Sequence, residues 1–145
     1  MTISIEAVSA NDLPRLASLY EQLAGRTTNM GLMRQSFTWM QSNPDYYVLG
    51  AKVGEELAGT LLGIVCRDLV GNCQPFMVVE NVIVGNNFRR KGVGKALMLR
   101  IEEIAAERDC LYIMFVSSME RRDAHRFYES LGYATDSTQG FKKYL

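Results

Sequence analysis

Phe76-Met-Val-Val-Glu-Asn-Val-Ile-Val84 reads as a strand. It runs through Gly85-Asn-Asn-Phe-Arg-Arg-Lys-Gly-Val-Gly94 into the helix-patterned Lys95-Ala-Leu-Met-Leu-Arg-Ile-Glu-Glu-Ile104. A strand that feeds a basic, glycine-bearing loop at the head of a helix can hold a phosphate. The loop aims backbone N–H groups at the anion, and the helix N-terminus adds partial positive charge. Three patterns compete for this loop. The nucleotide-triphosphatase loop needs Gly, four residues, then Gly-Lys-Ser/Thr. Here Arg89 stands where the first glycine belongs, and Ala96 follows Gly94-Lys95. The dinucleotide fingerprint needs a third glycine at the position of Leu97 and a sheet of βαβ units, and has neither. What remains is Arg/Gln-x-x-Gly-x-Gly/Ala, matched by Arg89-Arg90-Lys91-Gly92-Val93-Gly94. Alone, this short pattern is also what a basic turn with a glycine cap would show.

Working outward, Thr2 to Val8 alternates as a half-buried strand. Ser9-Ala-Asn-Asp12 offers capping side chains, and Pro14 suits a first helical turn. Leu13, Leu16, Ala17, Tyr20 and Leu23 follow at helical spacing until Gly25. A second helix is expected over Gly31 to Ser42, with Met33, Phe37 and Met40 as its stripe and Asn43-Pro44 as its stop. Strands at Tyr46–Val53 and Glu56–Arg67 turn tightly about Gly54-Glu55. After the central strand–loop–helix, Cys110–Val116 is almost wholly apolar, as in the middle of a covered sheet. A helix at Glu120–Leu131 stops at Gly132, and short strands at Tyr133–Thr135 and Gly140–Tyr144 close the chain. The order β-α-α-β-β-β-α-β-α-β-β predicts a mixed α/β (α+β) sheet with helices on both faces, in a single domain spanning residues 1–145.

Composition excludes several classes. The 145 residues carry sixteen basic and sixteen acidic side chains, so no global charge argues for nucleic acid or an anionic membrane. No apolar run approaches the ~20 residues of a membrane span, and the N-terminus lacks a signal-peptide pattern. Cys66, Cys73 and Cys110 are an unpatterned set beside one histidine, which speaks against a metal site or a disulfide framework. A reduced, cytoplasmic protein is expected.

A second motif, Ala124-His-Arg-Phe-Tyr-Glu-Ser-Leu-Gly-Tyr133, follows the glycine loop. Together with Arg89-x-x-Gly92-x-Gly94 and the element order, it resembles the GNAT superfamily of acyl-CoA-dependent N-acyltransferases over essentially the whole chain. The resemblance implies a mostly antiparallel sheet whose fourth and fifth strands splay apart. It implies acetyl-CoA as co-substrate, an amine acceptor and no metal. Pyrophosphate would meet the loop at Arg89, Arg90, Lys91, Gly92, Val93, Gly94 and Lys95. The pantetheine arm would pair with the strand about Asn81–Val84, and an amide near Val82 or Ile83 would polarise the acetyl carbonyl. Tyr128 matches the family tyrosine near the coenzyme sulfur, with the proposed role of general acid, against a packing role beside Phe127 and Leu131.

The attacking amine arrives protonated. At pH 7 an amine of pKa ~10 is only about a thousandth free, a handicap of roughly 4 kcal/mol, so a base is needed. Glu80, on the strand that presents the thioester, is the candidate. It could instead hold the ammonium group or be a plain strand-end residue. His125 is expected on the helix surface and outside the chemistry.

The family often has an asparagine where this chain has Arg121. The run Arg-Asp-Ala-His-Arg-Phe-Tyr resembles aminoalkylphosphonate N-acetyltransferases, whereas Glu80-Asn81 resembles glucosamine 6-phosphate N-acetyltransferases. The acceptor, expected between Arg26–Met30 and Asp68–Gln74, stays open among a metabolite, an antibiotic and a protein amine. Trp39 could cover that pocket; Asp68, Glu80 and Glu21 are available anions. Direct attack in a ternary complex is expected, since no cysteine belongs to either motif. A non-catalytic acyl-CoA-binding module is the rival reading, and a homodimer pairing the final strand is open.

Overall fold

A computed structural model describes residues 1–117 and 121–145, which form two compact units, Met1–Met114 and Phe115–Leu145. In the first unit, β1 (Ile3–Ala7), β2 (Tyr46–Val53), β3 (Glu56–Cys66), β4 (Phe76–Val84) and β5 (Ile113–Met114) form one sheet in the order β1-β2-β3-β4-β5. The first three pairings are antiparallel and β4–β5 is parallel.

Helices α1 (Leu13–Ala24) and α2 (Met30–Gln41) cover one face. Leu13, Leu16 and Leu19 of α1 and Phe37 of α2 pack with Leu57 of β3 and Ile83 of β4. Pro14 lies in the first turn of α1, and Gly25 closes it in the left-handed conformation, its N–H donating to Glu21 O. Asn29 caps α2 by accepting from the Leu32 amide at 3.0 Å. Helix α3 (Val93–Glu107) covers the opposite face with Val93, Leu97, Met98 and Ile101 buried.

A glycine in β3 sets how closely α3 approaches. A Cβ at Gly59 would lie 2.9 Å from Ile83 O and 3.0 Å from Val93 Cγ1. Because one of these neighbours is backbone, Gly59→Ala is expected to lower unfolding free energy by about 1–3 kcal/mol, read from urea midpoints.

β5 departs from the expected strand. It is two residues long and lies at the sheet edge, with Leu111, Tyr112, Met114 and Val116 exposed. Among the described residues the apolar run therefore belongs to the last strand of the sheet and not to its middle. The expected strands Tyr133–Thr135 and Gly140–Tyr144 are not formed. Alternation in so short a segment cannot specify a ladder partner, and Phe141 and Tyr144 are exposed.

In the second unit, α4 (Arg122–Ser130) is shorter than expected, and Glu120 lies outside the described residues. Its end explains the motif. Gly132 adopts φ 93°, the Gly132 amide donates to Glu129 O, and the Tyr133 amide donates to Tyr128 O. This left-handed closure turns the chain so that Tyr133 meets Phe115 with ring centroids 5.0 Å apart.

Candidate active site

β4 changes character at its middle. Glu80 pairs with Leu62 and Ile83 with Thr60, so Asn81 and Val82 together oppose Leu61. This is a β-bulge, and Asn81 takes φ +57° within it. The bulge has two consequences.

The first is facial. Met77 approaches Gly63 and Ile101 on the α3 side, whereas Ile83 packs against α1. Without an extra residue, positions of equal parity would share one face. Glu80, one residue from the buried Val79 on the α3 side, therefore shares the α1 side with Ile83, and it is exposed.

The second concerns the backbone. The Gly85 amide donates to Ala58 O at 2.7 Å, which makes Gly85–Ala58 and Ile83–Thr60 the hydrogen-bonded pairs of the ladder. On the other side of the bulge, the Met77 amide points to Tyr112 O at 3.0 Å, so Glu80–Leu62 is hydrogen-bonded as well. The Val84 amide and carbonyl and the Val82 carbonyl thus turn away from β3. β5 pairs only with Met77 and Val78, so this edge of β4 has no strand partner from Val79 onward among the described residues. Gln22 Nε2 of α1 donates to Val84 O at 3.1 Å, leaving the Val84 amide facing outward.

This open edge runs directly into the glycine loop. Gly85–Phe88 makes one 3₁₀ turn, closed by the Phe88 amide donating to Gly85 O. Arg90 (φ 61°) and Gly92 (φ 84°) are both left-handed, and α3 starts at Val93 without a side-chain cap. The first intrahelical bond is from the Ala96 amide to Gly92 O, so the amides of Val93, Gly94 and Lys95 have no helical acceptor. Alternating backbone hands ahead of uncapped amides form a concave donor set suited to an anion. Arg89, Arg90, Lys91 and Lys95 are exposed, and Lys91 Nζ donates to Asn87 O at 3.1 Å.

In the second unit, Tyr128 is buried on α4 against Phe115, with centroids 4.5 Å apart, and against Phe127 at 5.2 Å. Burial pushes its phenol pKa up, partly offset by the positive charge of Arg121. His125 is half-buried on the same helix. Trp39 is 55% exposed and meets Tyr46 edge-on. Asp68 Oδ1 is occupied by the Leu69 and Val70 amides of its own turn.

Sequence reasoning passed over Tyr20 as a core residue. It packs against the α1–α2 cluster, with the polar side chains of Thr60 and Asn81 among the influences on its hydroxyl. Burial raises its pKa, with those two groups working against the rise. No helical-spacing rule separates a polar tip from an apolar body on the same stripe.

Residues 13–133 match the model of the acetyltransferase (GNAT) family, and the chain belongs to that family. A probable glucosamine 6-phosphate N-acetyltransferase of Drosophila melanogaster is 28% identical over 120 residues, covering 77% of this chain. The chain spans about half the length of that curated relative, 53%. In fold, it resembles a putative acetyltransferase from Agrobacterium tumefaciens (TM-score 0.90, 24% identity, 98% of this chain and 99% of that one). It is similarly close to glucosamine-6-phosphate N-acetyltransferase from Arabidopsis thaliana (TM-score 0.84, 22% identity, 99% of each chain). The expected family and the mixed, mostly antiparallel sheet are thus borne out. Among the described residues no helix is long and apolar enough to cross a membrane, and no cluster of His, Cys, Asp or Glu is placed to hold a metal ion.

Proposed function

We propose that this chain transfers acetyl from acetyl-CoA to a primary amine by direct attack in a ternary complex. The carrying observation is the unpartnered β4 edge that leads without interruption into the amides at the head of α3. An extended pantetheine arm pairs with such an edge as an added strand would. A pyrophosphate suits the uncapped amides from Arg90 to Lys95, with Arg89, Arg90, Lys91 and Lys95 supplying charge. Of the two candidate carbonyl-polarising amides, the ladder engages that of Ile83, so the role falls to Val82.

Tyr128 is assigned as the proton donor to the departing thiolate on the family resemblance of its motif. A covalent route through cysteine is disfavoured. Burial raises the thiol pKa of both Cys66 and Cys110, opposite to an activated nucleophile, and all three cysteines are free. Free thiols fit the reduced cytoplasm.

Glu80, on the α1 side of the bulge, is the proposed base, acting directly or through a water. Glu80→Gln is expected to shift the acidic limb of the kcat/KM–pH profile and lower the plateau by about 10²-fold. An unaltered profile would remove the base role.

The function itself is tested by acetyl-CoA turnover with a free-thiol readout over amines that include glucosamine 6-phosphate, aminoalkylphosphonates, aminoglycosides and peptides. Intersecting double-reciprocal lines are expected for the accepted amine. Tight coenzyme binding with silence across the panel would instead indicate a binding module.

A further inference from the structure

Gly85 stands where β4 meets the glycine loop, and its backbone (φ −57°, ψ 145°) is one that any residue adopts. What calls for a glycine there is closeness to α1. A Cβ at Gly85 would lie 2.9 Å from Arg15 Nη2 and 3.5 Å from Leu19 Cδ2. One turn further along α1, Gln22 Nε2 donates to Val84 O at 3.1 Å. Residues 15, 19 and 22 fall at i, i+4 and i+7, so a single stripe of α1 lies on the Val84–Gly85 peptide. The stripe is itself anchored. Leu19 is fully buried, and Arg15 Nε donates to Leu57 O at 3.1 Å.

That peptide is the joint of the candidate site. On one side of it is the outward-facing Val84 amide, and on the other the loop that leads to the uncapped amides of α3. Its N–H donates to Ala58 O at 2.7 Å. A peptide held by its N–H alone can still tilt about that bond. Gln22 holds the opposite end, the carbonyl, and so fixes the plane. We propose that Gln22 is a positioning residue for the coenzyme: by holding the Val84 carbonyl from α1, it keeps the β4 edge and the glycine loop aligned along one ligand. This rests on the reading of that edge and loop as a coenzyme A site. Gln22 touches no reacting atom; it acts through the Val84–Gly85 peptide.

Alignment of two half-sites matters only to a ligand that spans both. The test is calorimetric titration of wild type, Gln22→Leu and Gln22→Glu with two ligands. One is coenzyme A; the other is adenosine 3′-phosphate 5′-diphosphate, the coenzyme without its pantetheine arm. Gln22→Glu keeps the length of the side chain and loses the donor. Each variant is expected to bind coenzyme A about fivefold more weakly. The dissociation constant of the armless nucleotide should move less than about twofold. Unchanged coenzyme A affinity overturns the proposal. Equal weakening of both ligands does so too, because it marks a general loosening of the loop. Gln22 is exposed, so both variants are expected to keep the wild-type urea midpoint; collapse of both would make the role structural and overturn the proposal. Wild-type protein that binds coenzyme A but acetylates no amine fails the transfer function alone, and the ratio of affinities still decides Gln22. Wild-type protein that does not bind coenzyme A overturns both.

Discussion

Replacing the Val82 amide by an ester, with the side chain retained, is expected to lower kcat by about 10²–10³-fold, or roughly 2.7–4 kcal/mol of barrier. The substitution deletes one N–H and little else. The register makes this N–H different from its neighbours. Ile83 shares a hydrogen-bonded pair with Thr60, so its amide is engaged before any ligand arrives. Val82 lies between two such pairs and shares Leu61 with Asn81, so in the proposed role its amide is the one left for the carbonyl. Attack on a thioester carbonyl builds negative charge on oxygen, and a donor already fixed in place stabilises that charge without reorganising. Binding of acetyl-CoA should weaken far less than kcat falls, because the neutral carbonyl gains little from the same bond. An ester at Ile83 is the control. It should cost about 1 kcal/mol of stability through the lost ladder bond and leave kcat nearly intact. If the two esters exchange behaviours, the assignment of Val82 is wrong.

The elements that carry this argument were readable to different depths. The strand–loop–helix from Phe76 to Ile104 was legible because its apolar spacing changes from period two to period 3.6 at a glycine-rich basic loop. The bulge inside it was not. Glu80-Asn-Val82 looks like continuous strand, and an extra residue shows only when β3 supplies the partner positions. The same limit hid Tyr20, whose hydroxyl is influenced by Thr60 of β3 and Asn81 of β4. It also misled at Cys110–Val116, where apolar composition suggested the middle of a sheet although β5 is its last strand among the described residues. Local pattern reports what a segment can bury. Which neighbour does the burying is a property of the tertiary ladder. The Gly132-Tyr133 end of the second motif shows the reverse. There the pattern carried its own reason, since a left-handed glycine and a following aromatic ring complete the closure of α4 within a few residues.

Tyr128→Phe is expected to lower kcat about 10²-fold, within the usual range for loss of a positioned proton donor, with little change in acetyl-CoA binding. The ring would keep its contacts with Phe115 and Phe127, so lost activity could not be ascribed to lost packing. The proton inventory makes the role more specific. An ordinary thiol has a pKa of ~8.5 and a phenol ~10, so handing the proton to a free thiolate is uphill by about 2 kcal/mol. Burial pushes the Tyr128 phenol further up and widens that gap. In the proposed role Tyr128 is therefore a hydrogen-bond donor to sulfur as the bond breaks, with full transfer completed only when the departing amine proton replaces the one it gives. The raised pKa also keeps the hydroxyl protonated across the physiological range. An alkaline limb of kcat caused by Tyr128 must lie above pH ~10 and must vanish in Tyr128→Phe. Arg121 supplies the opposing effect, its charge drawing the phenol pKa down. Arg121→Gln should thus move the same limb to still higher pH while leaving the plateau rate far closer to wild type than Tyr128→Phe does. A Tyr128→Phe enzyme with unchanged kcat would reduce the tyrosine to packing.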